Sequence, residues 1–259
     1  MLPKILPVLL MISLGNVVSS DAQSTIEQAT RFKVEAYKHY VGKGRPVNYA
    51  KALRLYLQAA NLGDAEAQYI SGGMLYKGLG TDPNAREAFK WLLKAARQGK
   101  VTPESMDILG RMYLRGDGVP QNYQEAKKWL TSASDAGRLN ALNDLAYIYY
   151  HGLAGTQDLK KALSLYTAAA LKGDNMAMYN VGLMYATGAG TSVDRATGYA
   201  WYSLAASRGN TGAQLARNGL MAEMSWEELN KAQALSVEIY NKIEKIEQEA
   251  SATFEPAMP

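Results

Sequence analysis

Two series of glycines run through this chain in step and constrain its fold more than any other feature. They are Gly42, Gly78, Gly116, Gly152 and Gly188, and Gly63, Gly99, Gly137, Gly173 and Gly209. In both series, successive glycines lie 36, 38, 36 and 36 residues apart. A regular period of this length is typical of a stacked array, because each unit can bury its apolar face only against its neighbours.

Each unit contains the start and the end of a second helix. A small residue stands six positions before each first-series glycine, where it lets another helix approach closely: Ala36, Gly72, Gly110, Ala146 and Gly182. A helix-capping residue stands six positions after it: Asn48, Asn84, Asn122, Asp158 and Asp194. The second helix carries a bulky residue three positions after a small one, which predicts one packing stripe: Leu55, Trp91, Trp129, Leu165 and Trp201. The second-series glycine then ends this helix in a left-handed conformation.

These elements predict helix A, a glycine loop, helix B and a glycine turn, repeated five times. The segments Leu109–Tyr113 with Gly116–Val119, and Val181–Tyr185 with Gly188–Gly190, resemble the signature of the Sel1-like repeats, which are related to tetratricopeptide repeats. The resemblance extends from about Arg31 to Gly209. It implies an all-α, right-handed α-solenoid, with units near 31–66, 67–104, 105–140, 141–176 and 177–212. It leaves the function open, since many unrelated processes use such a scaffold.

Two units depart from the pattern. The fourth has Gly152-Leu153-Ala154-Gly155 in place of Gly-x-Gly, which leaves its loop geometry open. The first unit has Arg31, Glu35 and Lys38 where later units carry small or apolar residues, which suits a capping helix with one solvent-exposed face.

The Gly-x-Gly loops do not predict a nucleotide site. A dinucleotide fingerprint needs a third glycine, and a strand before the loop. The third glycine is replaced in the Gly-x-Gly loops by Val47, Pro83, Gln121 and Val193. The glycines are therefore interpreted as structural.

The ends of the chain suggest export. Residues 1–22 combine Lys4, the apolar run Ile5–Leu14 and a small-x-small site ending at Ala22, as in a secretory signal peptide. An uncleaved anchor is the alternative. The chain has no cysteine and no Asn-x-Ser/Thr site, so we expect a bacterial periplasmic or secreted protein after cleavage near Ala22.

Residues 23–212 form the predicted solenoid, and residues 213–249 its C-terminal capping helices. The last helix has one apolar face: Leu229, Ala232, Leu235, Ile239, Ile243 and Ile246. It either covers the final repeat, or extends past it beyond Tyr240 and docks a partner or a second copy. Residues 250–259 are predicted to be a disordered tail.

Charge gives a further indication of the partner. The chain carries +4 overall, with eight Glu against three Lys from Glu223 onward, so the rest carries about +9. A basic body favours acidic protein surfaces, envelope polymers or a peripheral membrane contact rather than nucleic acid in an exported protein. Alternatively, this charge serves solubility alone.

Helix-pair solenoids usually bind on the concave side formed by their A helices. Projecting these helices predicts an aromatic and basic binding face: Tyr69, Tyr76, Lys77, Arg111, Arg115, Asn143, Tyr147, Tyr150, His151 and Tyr179, with Tyr37 and Tyr40 in the first unit. Tyr40, Tyr76 and Tyr150 share one position and are alternatively core residues.

Catalytic motifs are scarce. The chain has only two histidines, His39 and His151, no cysteine nucleophile and no metal-ligand spacing, so neither a cofactor nor a metal is expected. The sequence therefore predicts a non-enzymatic adaptor that binds a peptide or protein surface. The alternatives are a cell-wall-associated enzyme or binding protein acting on peptidoglycan or β-lactams, and a structural protein that self-associates through its C-terminal helix.

Overall fold

A computed structural model describes residues 20–252, which form twelve α-helices and no strand. The helices are α1 (Ser20–Val41), α2 (Tyr49–Asn61), α3 (Ala65–Lys77), α4 (Ala85–Arg97), α5 (Pro103–Arg115), α6 (Tyr123–Asp135), α7 (Leu139–His151), α8 (Leu159–Ala170), α9 (Asn175–Thr187), α10 (Arg195–Ser207), α11 (Thr211–Ala222) and α12 (Trp226–Ala252). Most of the predicted leader, together with residues 253–259 of the predicted tail, lies outside the described residues.

The first ten helices form five pairs. The odd-numbered helices α1 to α9 are the A helices, and the even-numbered helices α2 to α10 are the B helices. Each A helix packs against its own B helix, and each B helix contacts the next A helix. The predicted all-α array of helix pairs is confirmed.

The predicted helix starts are confirmed in every unit. The side chains of Asn48, Asn84, Asn122, Asp158 and Asp194 accept hydrogen bonds from backbone N–H groups in the first turn of their B helices. These bonds satisfy donors that have no partner within the helix.

The glycines serve two structural purposes. Both series have positive φ, as at Gly116 (78°) and Gly137 (85°), a region that favours glycine. The small residue inside helix A permits close packing, because a Cβ on Gly110 would lie 2.6 Å from Leu130 Cγ. In the divergent fourth loop, Gly155 also has a positive φ, of 119°.

The stack curves toward its A helices. Helix α5 contacts α7, and α9 contacts α11. Within residues 20–252, no two B helices of the five pairs contact each other to a similar extent. Since the A helices lie closer together than the B helices, they line the inner side of the curve. We call this inner surface the A-helix groove.

The last helix folds back onto the array. Helix α12 packs against α10, Ile243 is buried in the core, and Glu247 pairs with Arg208 at 3.0 Å. The alternative in which the helix extends past the repeat beyond Tyr240 does not agree with this packing, because Ile243 and Glu247 both contact the array. Helix α12 ends at Ala252, three residues past the predicted end of the capping helices. None of the helices in the described part of the chain is long and apolar enough to cross a membrane.

Candidate functional site

The first feature of the A-helix groove is a cavity between α1 and α3, which we call the N-terminal tyrosine pocket. Its volume is about 200 Å³. Its walls come from α1, α2, α3 and α5, with Leu79 from the loop after α3: Tyr37, Tyr40, Tyr56, Tyr69, Ile70, Gly73, Met74, Lys77, Leu79 and Glu104. The pocket therefore has mainly aromatic and aliphatic walls and one pair of opposite charges.

A second cavity, of about 270 Å³, lies between α7 and α9, and we call it the C-terminal tyrosine pocket. It is lined by Tyr147, Tyr150, His151, Tyr166, Asn180, Leu183 and Met184. Six of these seven residues lie 110 positions after a residue of the first pocket, which is the span of three repeat units. The two cavities thus occupy the same place in the first and fourth units.

The floor of each pocket is a tyrosine from a B helix, a residue that the projection of the A helices did not predict. Tyr56 and Tyr166 are almost completely buried. Burial raises the pKa of Tyr56 to about 12 and raises the pKa of Tyr166 as well. A repeat alignment shows both residues one position after the bulky Leu55 and Leu165, where the second and third units have leucine instead.

The walls of the C-terminal pocket are aromatic rings in tilted and edge-to-face contact. Tyr147 and Tyr150 lie 4.4 Å and 5.0 Å from the ring of His151. Tyr147 is 45% exposed, whereas Tyr150 is half-buried and packs against the core. Tyr40 likewise packs against the core and lines a pocket. Both residues therefore lie at the edge of the core, with part of each ring facing a cavity.

Charged groups on α3 and α5 border the N-terminal pocket. The Tyr69 hydroxyl and Lys77 Nζ both donate to the Glu104 carboxylate, at 3.1 Å and 2.6 Å. The bond from Lys77 lowers the pKa of Glu104, and the same bond raises the pKa of Lys77. Lys77 therefore already has a partner.

Between the pockets lies a buried ionic cluster around Asp107. The Asp107 side chain is 0% exposed, and its Oδ2 accepts from Arg111 at 3.1 Å and Arg138 at 3.4 Å. The other oxygen, Oδ1, and the Nε atoms of both arginines are buried without a hydrogen bond. Arg111, predicted to meet a partner, thus also neutralises a buried carboxylate, which carries a large desolvation cost when unpaired.

Arg115 is the most available cation in the groove. It is exposed, and no carboxylate oxygen of residues 20–252 lies within 4.0 Å of its guanidinium. It lines an open cavity of about 440 Å³ together with Leu114, Gln121, Tyr123, Asp144 and Tyr147. Burial raises the pKa of Asp144, and the positive charges of Arg111 and Arg115 oppose that rise.

The remaining predicted site residues line neither tyrosine pocket. Tyr76 is half-buried against the N-terminal part of the core, and Tyr179 lies 5.6 Å from the ring of Tyr202. The Oδ1 atom of Asn143 is buried without a hydrogen bond. No group of histidine, aspartate and glutamate side chains that could hold a metal ion occurs among the described residues.

The stacked helix pairs and their inner groove define a helix-pair solenoid. The model of the Sel1 repeat matches five consecutive segments, residues 36–64, 65–100, 103–137, 139–174 and 175–210. The chain belongs to the Sel1 repeat family. Proteins of this family are generally non-enzymatic scaffolds for protein–protein interaction.

Two solved structures resemble this chain along most of its length. A Sel1 repeat protein from Oxalobacter formigenes is 28% identical with a TM-score of 0.64, and the match covers 93% of this chain and 90% of the other. The protein c5321, a protective antigen of uropathogenic Escherichia coli, is also 28% identical with a TM-score of 0.66. That match covers 86% of this chain but only 48% of the antigen, so this chain spans about half the length of that relative. A comparison with curated protein sequences gave no match.

Proposed function

We propose that this protein is an exported, non-enzymatic adaptor that binds a segment of a partner protein in its A-helix groove. The partner belongs to cell-envelope machinery, a signalling system or a host. The observation that carries the proposal is the pair of tyrosine-lined pockets in the groove of a chain from an interaction-scaffold family. Tyrosine provides large, rigid contact area at low entropic cost and is enriched where proteins bind each other.

The charge of the groove favours an acidic segment. Arg115 has no ion-pair partner among residues 20–252 and lies between the two pockets. Lys77 is neutralised by Glu104, and Arg111 shares the carboxylate of Asp107 with Arg138, so neither is a free contact. A carboxylate that pairs with Arg115 would gain a charge-assisted hydrogen bond without breaking an existing one.

Export is supported by the amino-acid sequence of residues 1–22, with its lysine, short apolar run and small-residue site. A chain without cysteine is suited to an oxidising compartment, because it has no thiols to mispair there. Cell fractionation with mass spectrometry of the mature N-terminus tests this part of the proposal. A protein found in the cytoplasm with residues 1–22 intact would contradict it.

Site-specific photo-crosslinking in the producing cell tests the adaptor role. A photoreactive phenylalanine replaces the exposed Tyr147 in the groove or, as a matched control, the exposed Tyr240 on α12. We expect a partner protein to crosslink at position 147 and not at position 240. The same crosslink should be lost when Arg115→Glu is introduced.

Arg115→Glu is preferred to a change at Arg111, because a glutamate at position 111 would face the buried Asp107 and disturb the fold. Circular dichroism is the control that Arg115→Glu retains its helices, which we expect because Arg115 is exposed. Equal crosslinking at positions 147 and 240, or a crosslink that persists in Arg115→Glu, would refute binding in the groove.

A further inference from the structure

The two tyrosine pockets are copies of one structure placed three units apart. Each has two wall tyrosines from an A helix and one floor tyrosine from the B helix that follows. The two sets are Tyr37, Tyr40 and Tyr56, and Tyr147, Tyr150 and Tyr166. The second and third units carry Leu92 and Leu130 at the floor position, and both leucines are fully buried. The same aromatic site therefore occurs twice, with two units of different composition between.

Each pocket is the right size for one large side chain. An apolar cavity of about 150 Å³ is large enough to bind benzene, and these pockets measure about 200 and 270 Å³. Drug-sized ligands generally need larger cavities. Each floor tyrosine also presents a hydroxyl for which no hydrogen bond is found within residues 20–252. Aromatic walls with a polar group at the floor suit an aromatic occupant, above all tyrosine.

We propose that the groove binds one extended peptide segment through two aromatic anchors, one in each tyrosine pocket. This inference rests on the proposed function and specifies the ligand. Helices in direct contact lie about 10 Å apart, and of the A helices from α1 to α7 the pair α5 and α7 is in closest contact, so three units place the pockets at least about 30 Å apart along the groove. An extended chain rises about 3.3 Å per residue. The two anchors are therefore at least about nine residues apart in the partner sequence.

The surface between the anchors selects for negative charge. Arg115 is exposed and has no ion-pair partner among residues 20–252, and the half-buried Asp144 in the same cavity offsets only part of its charge, because Asp144 also interacts with Arg111. A carboxylate between the two anchors would pair with Arg115. A ligand with two aromatic anchors and an intervening Asp or Glu fits the groove better than a single aromatic group or a polysaccharide.

The probe is a library of random displayed peptides, long enough to reach both pockets, selected on the purified mature protein. We expect selected sequences to share two aromatic residues at a constant spacing of at least about nine positions, with an acidic residue between them. A selected peptide is then synthesised with a fluorescent label, and fluorescence anisotropy measures its affinity for the wild type and for three variants. Each variant changes one tyrosine, and the three tyrosines have similar exposure.

Tyr37→Ser and Tyr147→Ser each remove one exposed pocket wall, and Tyr240→Ser is the matched control on α12; these tyrosines are 53%, 45% and 46% exposed. Each pocket variant should weaken binding about tenfold, the effect of removing one interface aromatic. Tyr240→Ser should leave the affinity within about twofold. A peptide that lacks one anchor should lose its sensitivity to the variant of the corresponding pocket and keep its sensitivity to the other.

The outcomes separate this inference from the proposed function. If binding depends on Arg115 but on only one of the two pocket variants, the groove binds peptides and the two-anchor inference is wrong. If no peptide is selected, or if neither pocket variant nor Arg115→Glu affects binding, both are wrong. If the wild type sediments as a dimer that Tyr37→Ser and Tyr147→Ser dissociate, the pockets hold a second copy of the chain, which also overturns the inference.

Discussion

Two adjacent glycines in α3 allow the close packing of the helix pairs to be tested by a matched comparison. Gly72 and Gly73 both lie inside the helix. A Cβ on Gly72 would lie 2.7 Å from Leu92 Cγ and 3.1 Å from the Ala88 carbonyl oxygen of α4. A Cβ on Gly73 would have no neighbouring atom within 4 Å. The two substitutions by alanine thus differ only in whether the new methyl group meets the partner helix.

The magnitudes follow from this geometry. Replacing glycine by alanine inside a helix stabilises a protein by about 1 kcal/mol, so Gly73→Ala should raise the free energy of unfolding by about that amount. Gly72→Ala has the same gain, but overpacking a close contact costs about 1–3 kcal/mol. With a cost near the middle of this range, Gly72→Ala should be about 1 kcal/mol less stable than the wild type. The two variants should then differ by about 2 kcal/mol.

Urea denaturation of the wild type and both variants measures this difference. Far-UV circular dichroism and tryptophan fluorescence should give coincident transitions, which justifies a two-state free energy. If Gly72→Ala were as stable as Gly73→Ala, α3 and α4 would not pack as closely as described. The structural explanation of the small residue in every A helix would then be refuted.

Two further predictions concern charge and the C-terminal cap. Burial in the folded state raises the pKa of the Asp144 carboxyl. As pH rises, this carboxyl therefore loses its proton in the unfolded state before it does so in the folded state. The free energy of unfolding falls as a result once the pH exceeds the ordinary pKa of the carboxyl. The free energy of unfolding of Asp144→Asn should therefore rise relative to that of the wild type as the pH increases from about 4 to 7. Denaturation of both proteins across this pH range measures the difference. A difference that does not change with pH would contradict the effect of burial on Asp144. Ile243→Ala should lower the free energy of unfolding by about 2–4 kcal/mol, because Ile243 is buried in the core. Val237 on the same helix is exposed, so Val237→Ala should change the free energy of unfolding by less than about 0.5 kcal/mol. If thermal or urea unfolding gave equal effects for the two variants, α12 would not cap the array as described.

The repeat architecture could be predicted from sequence because its determinants are local and recur five times. The side chains of Asn48 and Asp194 cap helices through bonds to residues three positions away, and Gly116 and Gly137 have the left-handed φ expected of glycine turns. Local backbone chemistry of this kind does not depend on distant parts of the chain. The same regularity allowed the family to be identified from residues such as Gly110 and Gly182.

The candidate site was only partly predictable, because pockets depend on which side chains from different helices meet. Projection of the A helices identified Tyr147 and His151, but the floor residues Tyr56 and Tyr166 come from the B helices. Helix periodicity places Asp107 and Arg111 four residues apart on one face of α5, but the burial of Asp107 and its pairing with Arg138 depend on packing between neighbouring units.

The sequence by itself thus determined the helix pairs, their boundaries and their number, since turn and cap chemistry acts over a few residues. Only the tertiary structure decided which side chains are free to bind. It paired Lys77 with Glu104, left Arg115 without a partner among the described residues, and set two tyrosine pockets three units apart. It also turned α12 back onto α10, because burying Ile243 against the array removes apolar surface from water.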